Sequence, residues 1–339
     1  MKNGYERFVR PFLFSLEPEA AHDLTTALLR GASYVNPALH ALKVFQPPPK
    51  PRTLFGLNFP NPIGLAAGFD KNGVALRAWE ALGFGFIEIG TVTAKRQPGN
   101  PKPRIFRLPK QQALINRLGF NNDGTDAIAE RLRRLRKSGR WPTVPIGINI
   151  GKSRVTPLEE ATQDYLYSFR LLREFADYIT LNVSSPNTAG LRELQEPAAL
   201  AKLLRAIRDE NSGRHGPTPV LVKIAPDLSS TQLEAIIATC EQNEVAGIIA
   251  TNTTLDHSSI PPAVDRDGGL SGAPLREKST ALIRSIAAIS TIAVIASGGI
   301  CDAKSALEKF EAGARLLQVY TGYIYRGPRL LREIMEAIP

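Results

Sequence analysis

Residues 181–188 (LNVSSPNT) bring two carboxamides and two adjacent hydroxyls into one short turn, directly after a strand-like apolar run. Pro186 restricts that turn, so Asn182, Ser185 and Asn187 could all face one ligand. Because a carboxamide both donates and accepts hydrogen bonds, the cluster could bind a planar, amide-rich molecule and place a hydroxyl against one of its carbons. Asn and Ser are also common in turns that bind no ligand, since their side chains bond their own backbone.

Similar polar segments recur along the chain, which favours the ligand interpretation. Residues 66–73 (AAGFDKNG) combine small residues, which allow a flat ring to approach the backbone, with the cation of Lys71. Residues 116–122 (NRLGFNN) carry three carboxamides and an aromatic ring, and residues 251–254 (TNTT) place another carboxamide after an apolar run. The alternative for the first two is an ordinary turn, in the second case one that leads into a helix capped by Asp123.

Lys223 is a charge inside an apolar run, residues 221–224 (LVKI). A lysine is rarely buried without an anionic partner or a reaction to perform. The side chain could hold a developing negative charge, form a Schiff base with a carbonyl substrate, or be a structural lysine whose ammonium reaches solvent. The residues alone leave these three alternatives open.

Glycine and hydroxyl residues follow the last two apolar runs, in residues 297–299 (SGG) and 320–322 (YTG), where backbone N–H groups commonly bind phosphate. Acidic and basic side chains that could act in catalysis are scarce after these apolar runs: no carboxylate pair follows a run, and no metal-ligand spacing occurs. A phosphate-bearing redox cofactor would supply the difficult chemistry instead, so neither hydrolysis nor a metal centre is expected. The histidines are dispersed, at His22, His40, His215 and His257.

These segments share one position, the C-terminal end of short apolar runs that alternate with helical patterns. Such runs indicate a parallel sheet covered on its outer side. Eight of them predict a (β/α)8 barrel, or TIM barrel, ahead of an open doubly wound sheet, and the C-terminal face of a barrel is its active face. The runs are residues 63–68, 86–92, 146–151, 178–184, 220–225, 247–253, 293–299 and 316–322.

The helical patterns between the runs have clear apolar faces and start signals. Ser230 and Asp302 are the expected N-caps of two of these helices. Apolar residues recur at helical spacing, as in Leu200, Leu203, Leu204 and Ile207, and again in Leu233, Ile236, Ile237 and Cys240.

Residues 1–45 form a predicted helical extension before the barrel domain, residues 46–339. A first helix is expected to be kinked or interrupted at Pro11, and a second to run from Pro18 to about Ala32. The extension is either a small cap docked on the domain or an amphipathic pair that lies on a bilayer. In the second case the residues at the headgroups would be Arg7, Arg10 and Arg30.

Composition excludes several other classes of protein. With 43% hydrophobic and 22% charged residues, the 339-residue chain is typical of a globular protein with a large core. The net charge of +10 comes from Lys and Arg that are scattered, apart from residues 131–137 (RLRRLRK), which are expected to form the solvated face of a helix. Since no aromatics are interleaved with these charges, nucleic-acid binding is not expected. The two cysteines are far apart, which fits a reducing compartment, and no apolar run approaches the ~18 residues of a membrane span.

Taken together, these segments resemble the dihydroorotate dehydrogenase family, the flavin enzymes of pyrimidine synthesis, and specifically its quinone-using, membrane-associated class. Nearly the whole chain is covered, with further matches in residues 90–93 (GTVT), 97–101 (QPGNP) and 147–151 (GINIG). The class that reduces soluble acceptors is similar but carries Cys at the position of Ser185 and lacks the extension. Both features therefore favour the quinone class.

The resemblance implies one FMN per chain and the oxidation of (S)-dihydroorotate to orotate. Ser185 would be the base that takes the C5 proton while C6 passes hydride to flavin N5, and Lys223 would stabilise negative charge on the reduced flavin. The implied FMN contacts are Ala67, Gly68, Thr91, Asn149, Asn182, Lys223, Thr251, Gly272, Gly299, Tyr320 and Thr321. The implied dihydroorotate contacts are Lys71, Asn116, Arg117, Leu118, Gly119, Phe120, Asn182, Asn187, Asn252 and Thr253.

The resemblance also implies that electrons pass to ubiquinone or menaquinone, which enters between the N-terminal helices from the bilayer. The chain would be a peripheral protein on the cytoplasmic side of a bacterial inner membrane, without nucleic acid or an obligate protein partner. Three alternatives remain: another flavin barrel such as a dihydropyrimidine or dihydrouridine reductase, a Schiff-base aldolase acting through Lys223, and a basic protein that binds RNA or a membrane surface.

Overall fold

The computed structural model describes residues 4–212 and 216–338, so His215 of the predicted histidine set lies outside the described residues. The strands are β1 (Arg52–Leu54), β2 (Leu57–Phe59), β3 (Ile63–Leu65), β4 (Phe86–Val92), β5 (Ile105–Leu108), β6 (Ala113–Asn116), β7 (Ile146–Ile150), β8 (Tyr178–Asn182), β9 (Val220–Ile224), β10 (Gly247–Ala250), β11 (Gly269–Gly272), β12 (Ala293–Ser297) and β13 (Leu316–Val319). The α-helices are α1 (Arg10–Ser15), α2 (Pro18–Ala32), α3 (Asn36–Leu42), α4 (Leu76–Ala81), α5 (Thr125–Lys137), α6 (Ala161–Leu172), α7 (Pro197–Asn211), α8 (Ser230–Gln242), α9 (Arg276–Ile289), α10 (Ala303–Glu311), α11 (Thr321–Arg326) and α12 (Arg329–Ala337).

Eight strands close into a parallel barrel, which confirms the predicted TIM barrel. Their order is β3, β4, β7, β8, β9, β10, β12 and β13, and β13 pairs with β3 to close the ring. Most of these strands end one to three residues before the predicted run ends. The polar residues there leave the ladder for local bonds, as the hydroxyl of Thr251 does when it donates to the carbonyl of Asn252 (2.7 Å).

A separate antiparallel sheet of β5, β6 and β11 stands beside the end of the barrel where the strand C-termini lie, called the mouth below. β6 pairs with both neighbours, so Asn116 lies opposite Gly269 on one side and Ile105 on the other. Because β11 follows β10 and β5 follows β4, this sheet joins two distant loops across one side of the mouth.

The barrel interior changes from apolar to polar along its axis. The end opposite the mouth is filled by one buried cluster: Phe59, Phe86, Tyr178, Leu221, Ile249, Ile295 and Leu316. Side chains alternate between the two faces of a strand, so the residue two positions further on also points inward. That rule brings buried polar side chains next in line, a group named the polar floor here: Glu88, Asn149, Thr180, Lys223 and Gln318.

The predicted helix faces are buried, and two of the predicted helix starts need correction. Asp302 caps α10 as predicted and accepts from the N–H of Ser305 (2.7 Å). Ser230 is not the cap of α8; Ser229 is, because its hydroxyl accepts from the N–H of Gln232 (3.2 Å) and its own N–H donates to Oε1 of Gln232 (3.0 Å). Asp123 does not cap α5, whose N-cap is Gly124.

The helical extension consists of a π-type turn over Tyr5–Val9 followed by α1, α2 and α3. Val9 and Arg10 both have right-handed helical backbone angles, so the π-type turn runs into α1 without a break. Pro11 lies in the first turn of α1, where the bonding changes from π-type to α-helical, and the helix is not interrupted there. Arg10 donates to the carbonyl of Tyr325 (2.9 Å) and so holds the extension to the barrel, whereas Arg7 is exposed. Among the described residues, no helix combines the length and the apolar character that crossing a bilayer requires.

Candidate active site

The mouth of the barrel opens into a cavity of about 1090 Å³, a volume that includes the part open to solvent. The predicted site residues that line the cavity are Ala67, Gly68, Lys71, Thr91, Asn116, Leu118, Gly119, Phe120, Asn182, Ser185, Asn187, Lys223, Thr251, Asn252, Thr253, Gly272, Gly299, Tyr320 and Thr321.

Two predicted site residues do not line this cavity. Asn149 is fully buried behind its wall, where its Oδ1 accepts from the hydroxyl of Thr91 (2.6 Å) and from the amide of Asn182 (3.2 Å). Arg117 points away from the cavity, because its guanidinium donates to the carbonyl of Pro103 (3.0 Å) and lies over the ring of Phe106. Asn149 therefore positions two lining side chains. The Arg117 side chain contacts β5 and the loop before it, outside the cavity.

The carboxamides at the mouth bond one another across separate loops, in two groups. Asn182 accepts from the amide of Asn252 (3.3 Å) and from the hydroxyl of Ser184 (3.0 Å). Asn187 donates to the carbonyl of Asn116 (3.1 Å), which lies on the antiparallel sheet. Loops after β6, β8 and β10 thus hold their amides in fixed positions, as recognition of a planar amide requires.

Ser185 lines the same cavity and is buried. Its Oγ accepts from the backbone N–H of Asn187 (3.3 Å), and in the described part of the chain no carboxylate or imidazole bonds to it. His257 is engaged elsewhere, with the carboxylate of Asp265 at 2.6 Å. The N–H donor favours negative charge on Oγ, so the backbone supplies part of the activation that a partner base would otherwise give.

Two buried lysines bring positive charge to the cavity from different sides. Burial lowers the pKa of Lys71 to about 8, although the nearby carboxylate of Glu19 opposes this shift. Burial also lowers the pKa of Lys223, and the carboxylate of Glu88 opposes it. Because both ammonium groups are buried, an anionic ligand would stabilise their charged forms.

The glycines of the cavity wall leave no room for larger residues. A Cβ on Gly299 would lie 2.2 Å from Cα of Arg276, and one on Gly322 would lie 2.1 Å from the carbonyl oxygen of Ile300. These segments pack backbone against backbone and keep the wall free of side chains. The geometry fits a phosphate held by main-chain N–H groups.

Several lining residues were not predicted from the sequence, and they fall into two groups. Side chains of the antiparallel sheet could not be assigned because their position depends on long-range pairing. Gln318 and Glu88 did leave a signal, since each interrupts an apolar strand in the way that Lys223 does. The unpredicted lining residues are Ile105, Leu114, Ser271, Leu275, Ile300, Gln318 and Val319. Four further lining residues belong to segments that the sequence had indicated for a flat ring or a phosphate: Ala66, Ser297, Gly298 and Gly322.

The helical extension reaches the cavity through a chain of aromatic contacts. His22 on α2 bonds the carbonyl oxygen of Phe69 (2.8 Å), and the two rings lie 5.8 Å apart. The Phe69 ring in turn lies 4.9 Å from the ring of Tyr320, which lines the cavity. Packed rings therefore connect the extension with the wall of the site.

A buried ion pair fixes α2 against the loop after β4, and its loss is expected to destabilise the protein strongly. Arg104 donates to Glu19 through two nitrogens, at 2.6 and 3.0 Å, and both side chains are under a tenth exposed. Because Arg104→Met leaves a buried carboxylate without its bidentate partner, we expect a loss of about 3–5 kcal/mol in urea unfolding.

The matched control is Lys102→Met, which removes a second cation near the same carboxylate. Lys102 lies 3.3 Å from Glu19 but is 60% exposed, so solvent screens the pair. We expect a loss of at most about 1 kcal/mol. Equal losses in the two variants would contradict the assignment of the Arg104 pair as the structural one.

Comparisons with known proteins agree across the chain. The family model described as "Dihydroorotate dehydrogenase" matches residues 51–339. A "Dihydroorotate dehydrogenase (quinone)" of Synechococcus sp. (strain JA-3-3Ab) is 48% identical, with 99% of this chain and 92% of the relative covered. One from Gloeobacter violaceus is 50% identical over 98% of this chain and 93% of its own length. The crystal structure of DHODH in complex with ferulenol from Eimeria tenella has a TM-score of 0.83 and 37% identity, covering 94% of this chain and 90% of that one.

Proposed function

Because the chain belongs to the dihydroorotate dehydrogenase family, we propose that it oxidises dihydroorotate to orotate and passes the electrons through FMN to a membrane quinone. The observation that carries this proposal is the cavity at the mouth, which is lined by Ser185, Lys223 and the carboxamides described above. FMN, when bound, supplies the two-electron acceptor.

The residues present suit FMN. The glycine wall near Gly299 and Gly322 is shaped for a phosphate, while Lys223 and Thr91 border the deeper part of the cavity. Gln318 lines the cavity with an amide whose oxygen is buried and has no partner among the described residues. A buried acceptor without a partner is costly, and a ring with N–H groups would satisfy it.

Dihydroorotate would be held by its polar edge and its carboxylate. Asn116, Asn187 and Asn252 present amides that match the ring's N–H and C=O groups. Lys71 brings a buried ammonium, which suits a carboxylate. Ser185 takes the C5 proton while its own hydroxyl proton passes to water, since its oxygen lines the cavity and accepts from the N–H of Asn187.

The charge of Lys71 predicts a pH dependence of substrate binding. Its pKa of about 8 means that the free enzyme loses the ammonium as the pH rises through 8, and with it the attraction for the carboxylate. We expect KM for dihydroorotate to rise by up to about tenfold per pH unit above 8. Steady-state kinetics between pH 6 and 10 measure this rise, and the Lys71→Met variant should show a high KM that no longer varies over that range. A flat KM in the unmodified chain would contradict the role of Lys71.

The extension carries the surface expected of a membrane contact. In the part of the chain that the structure describes, fourteen large apolar side chains are well exposed, and nine of them lie before residue 46. The most exposed of the nine are Phe8 (67%), Val44 (67%) and Leu28 (65%). Such a concentration on one short segment marks an interaction site, and the flanking Arg7 and Arg30 are exposed for anionic headgroups. We infer a peripheral protein on the cytoplasmic side of a bacterial inner membrane, with ubiquinone or menaquinone entering between the helices.

Two measurements test the function. The purified chain should be yellow, with a flavin absorption band that corresponds to one FMN per chain. In steady-state assays with dihydroorotate, a quinone should be reduced far faster than fumarate or NAD⁺. A colourless protein would contradict the proposal, and trapping of substrate on Lys223 by borohydride would favour a Schiff-base aldolase instead.

A further inference from the structure

Glu88 is a fully buried carboxylate inside the barrel, one layer below the cavity. Its neighbours in β4, Ile87 and Ile89, are buried as well. Neutral donors satisfy its oxygens without neutralising its charge, and a charge removed from water in this way needs an opposite charge nearby. The donors are Asn149 (2.9 Å), Tyr178 (3.1 Å), Thr180 (3.1 Å) and Gln318 (2.8 Å).

Lys223 is the cation that shares this interior. It follows Leu221 on the inward side of β9 and lines the cavity, as does Gln318, the side chain that donates to Glu88. Lys223 pairs in register with Asn182 of β8, two residues beyond Thr180, which also donates to Glu88. The two charges therefore belong to adjoining layers of the polar floor, in a space where low polarity strengthens their attraction.

We propose that Glu88 is the counter-ion that keeps Lys223 protonated beneath the cavity. Without it, a buried ammonium would lose its proton and could not stabilise negative charge on the electron acceptor above it. Glu88 contacts no substrate and acts through Lys223, so it is a positioning residue. Its effect on the acceptor rests on the proposed function, whereas the attraction between the two buried charges is a property of this chain alone.

The other groups around the floor do not replace Glu88. Burial lowers the pKa of Lys223, and Glu88 is the acid whose charge raises it. Burial also raises the pKa of each tyrosine nearby, so these side chains stay neutral and supply no second anion. The titratable groups that face the floor from the described elements are Tyr165, Tyr178, Tyr320 and Lys71, the last of the same sign as Lys223.

The variant Glu88→Gln removes the charge and keeps the volume. Its new NH₂ group needs acceptors, and the hydroxyls of Tyr178 and Thr180 can turn to accept from it. Gln318 can rotate its amide so that the unpartnered Oε1 faces the new donor. The variant is therefore expected to fold, and Lys223→Met provides the complementary removal of the cation.

The first test is a double-mutant cycle in urea unfolding of the full chain with excess FMN. Each single variant leaves one buried charge without its partner, while the double variant leaves none. We expect both single variants to unfold at lower urea, and the double variant to recover at least about half of the larger loss. If the losses of the two single variants simply add in the double variant, the two charges are not coupled and the proposal is overturned.

The second test is the pH dependence of the flavin midpoint potential. At low pH, the potential of Glu88→Gln should be no more negative than that of the unmodified protein, because Lys223 is still protonated and the negative charge beneath it is gone. As the pH rises, its potential should shift to more negative values until it coincides with that of Lys223→Met. Parallel curves for Glu88→Gln and the unmodified protein would overturn the proposal. A chain without bound flavin would contradict the proposed function instead. The unfolding cycle would still show whether the charges of Glu88 and Lys223 are coupled.

Discussion

We expect the Ser185→Ala variant to lose flavin reduction by dihydroorotate while it retains FMN. A positioned base contributes about 10²–10⁴-fold to a rate, and the described residues offer no second acid or base bonded to this hydroxyl. We expect the first-order rate of flavin bleaching in an anaerobic stopped-flow experiment to fall by that factor. The absorption spectrum of the oxidised variant should remain that of the unmodified protein.

Two neighbouring variants separate the base from its surroundings. Ser184→Ala removes a hydroxyl one residue away that bonds Asn182 (3.0 Å) and Asn252 (3.0 Å), so we expect a loss of about tenfold or less, in line with ~1 kcal/mol. Ser185→Cys keeps a group able to take a proton and should restore part of the rate. A Ser185→Ala enzyme that bleaches as fast as the unmodified one would show that another group removes the proton.

Local patterns sufficed for the barrel because each strand carries its own signal. A buried parallel strand is apolar along its whole length, so β4 and β9 are recognisable without knowledge of their partners. The same clarity explains why the strand ends were placed too far along the chain. Residues such as Thr251 continue the β-like composition, but their side chains form local hydrogen bonds and the strand has already ended.

Contacts that depend on distant pairing were beyond sequence reasoning. Nothing near Arg117 indicates that its guanidinium would find the carbonyl of Pro103, and nothing near Ser271 indicates that β11 would join β6. Asn149 was assigned to the site by resemblance, and its position behind Thr91 emerges only from the closed barrel.

Glu88 could have been found from the sequence by the reasoning applied to Lys223. Both interrupt an apolar run with a charge, and both runs were assigned to the same barrel. A single buried charge indicates a bound ligand, whereas two buried charges of opposite sign on inward positions indicate that they compensate each other. The strand register decides between these alternatives, and the register was not available from the runs alone.

Placing acidic side chains on the apolar surface of the extension should separate quinone reduction from flavin reduction. The variant changes three exposed residues, Phe8 (67%), Phe12 (58%) and Leu28 (65%), to glutamate. Each such side chain is worth about 1.5–3 kcal/mol when it leaves water, so their joint loss should lower binding to lipid vesicles by at least about a hundredfold. Reduction of a long-chain quinone in those vesicles should fall with it, while stopped-flow flavin reduction stays within about twofold.

Substitution is a sharper test than deletion of residues 1–45, since deletion also removes Glu19 and leaves the buried Arg104 without its partner. The matched control is Ile289→Glu, an exposed apolar residue (48%) at the end of α9, outside the extension. It should change neither vesicle binding nor quinone reduction. Equal losses in both half-reactions of the triple variant would mean that the extension supports the cavity as a docked cap. Unchanged vesicle binding would mean that its apolar surface does not face the bilayer.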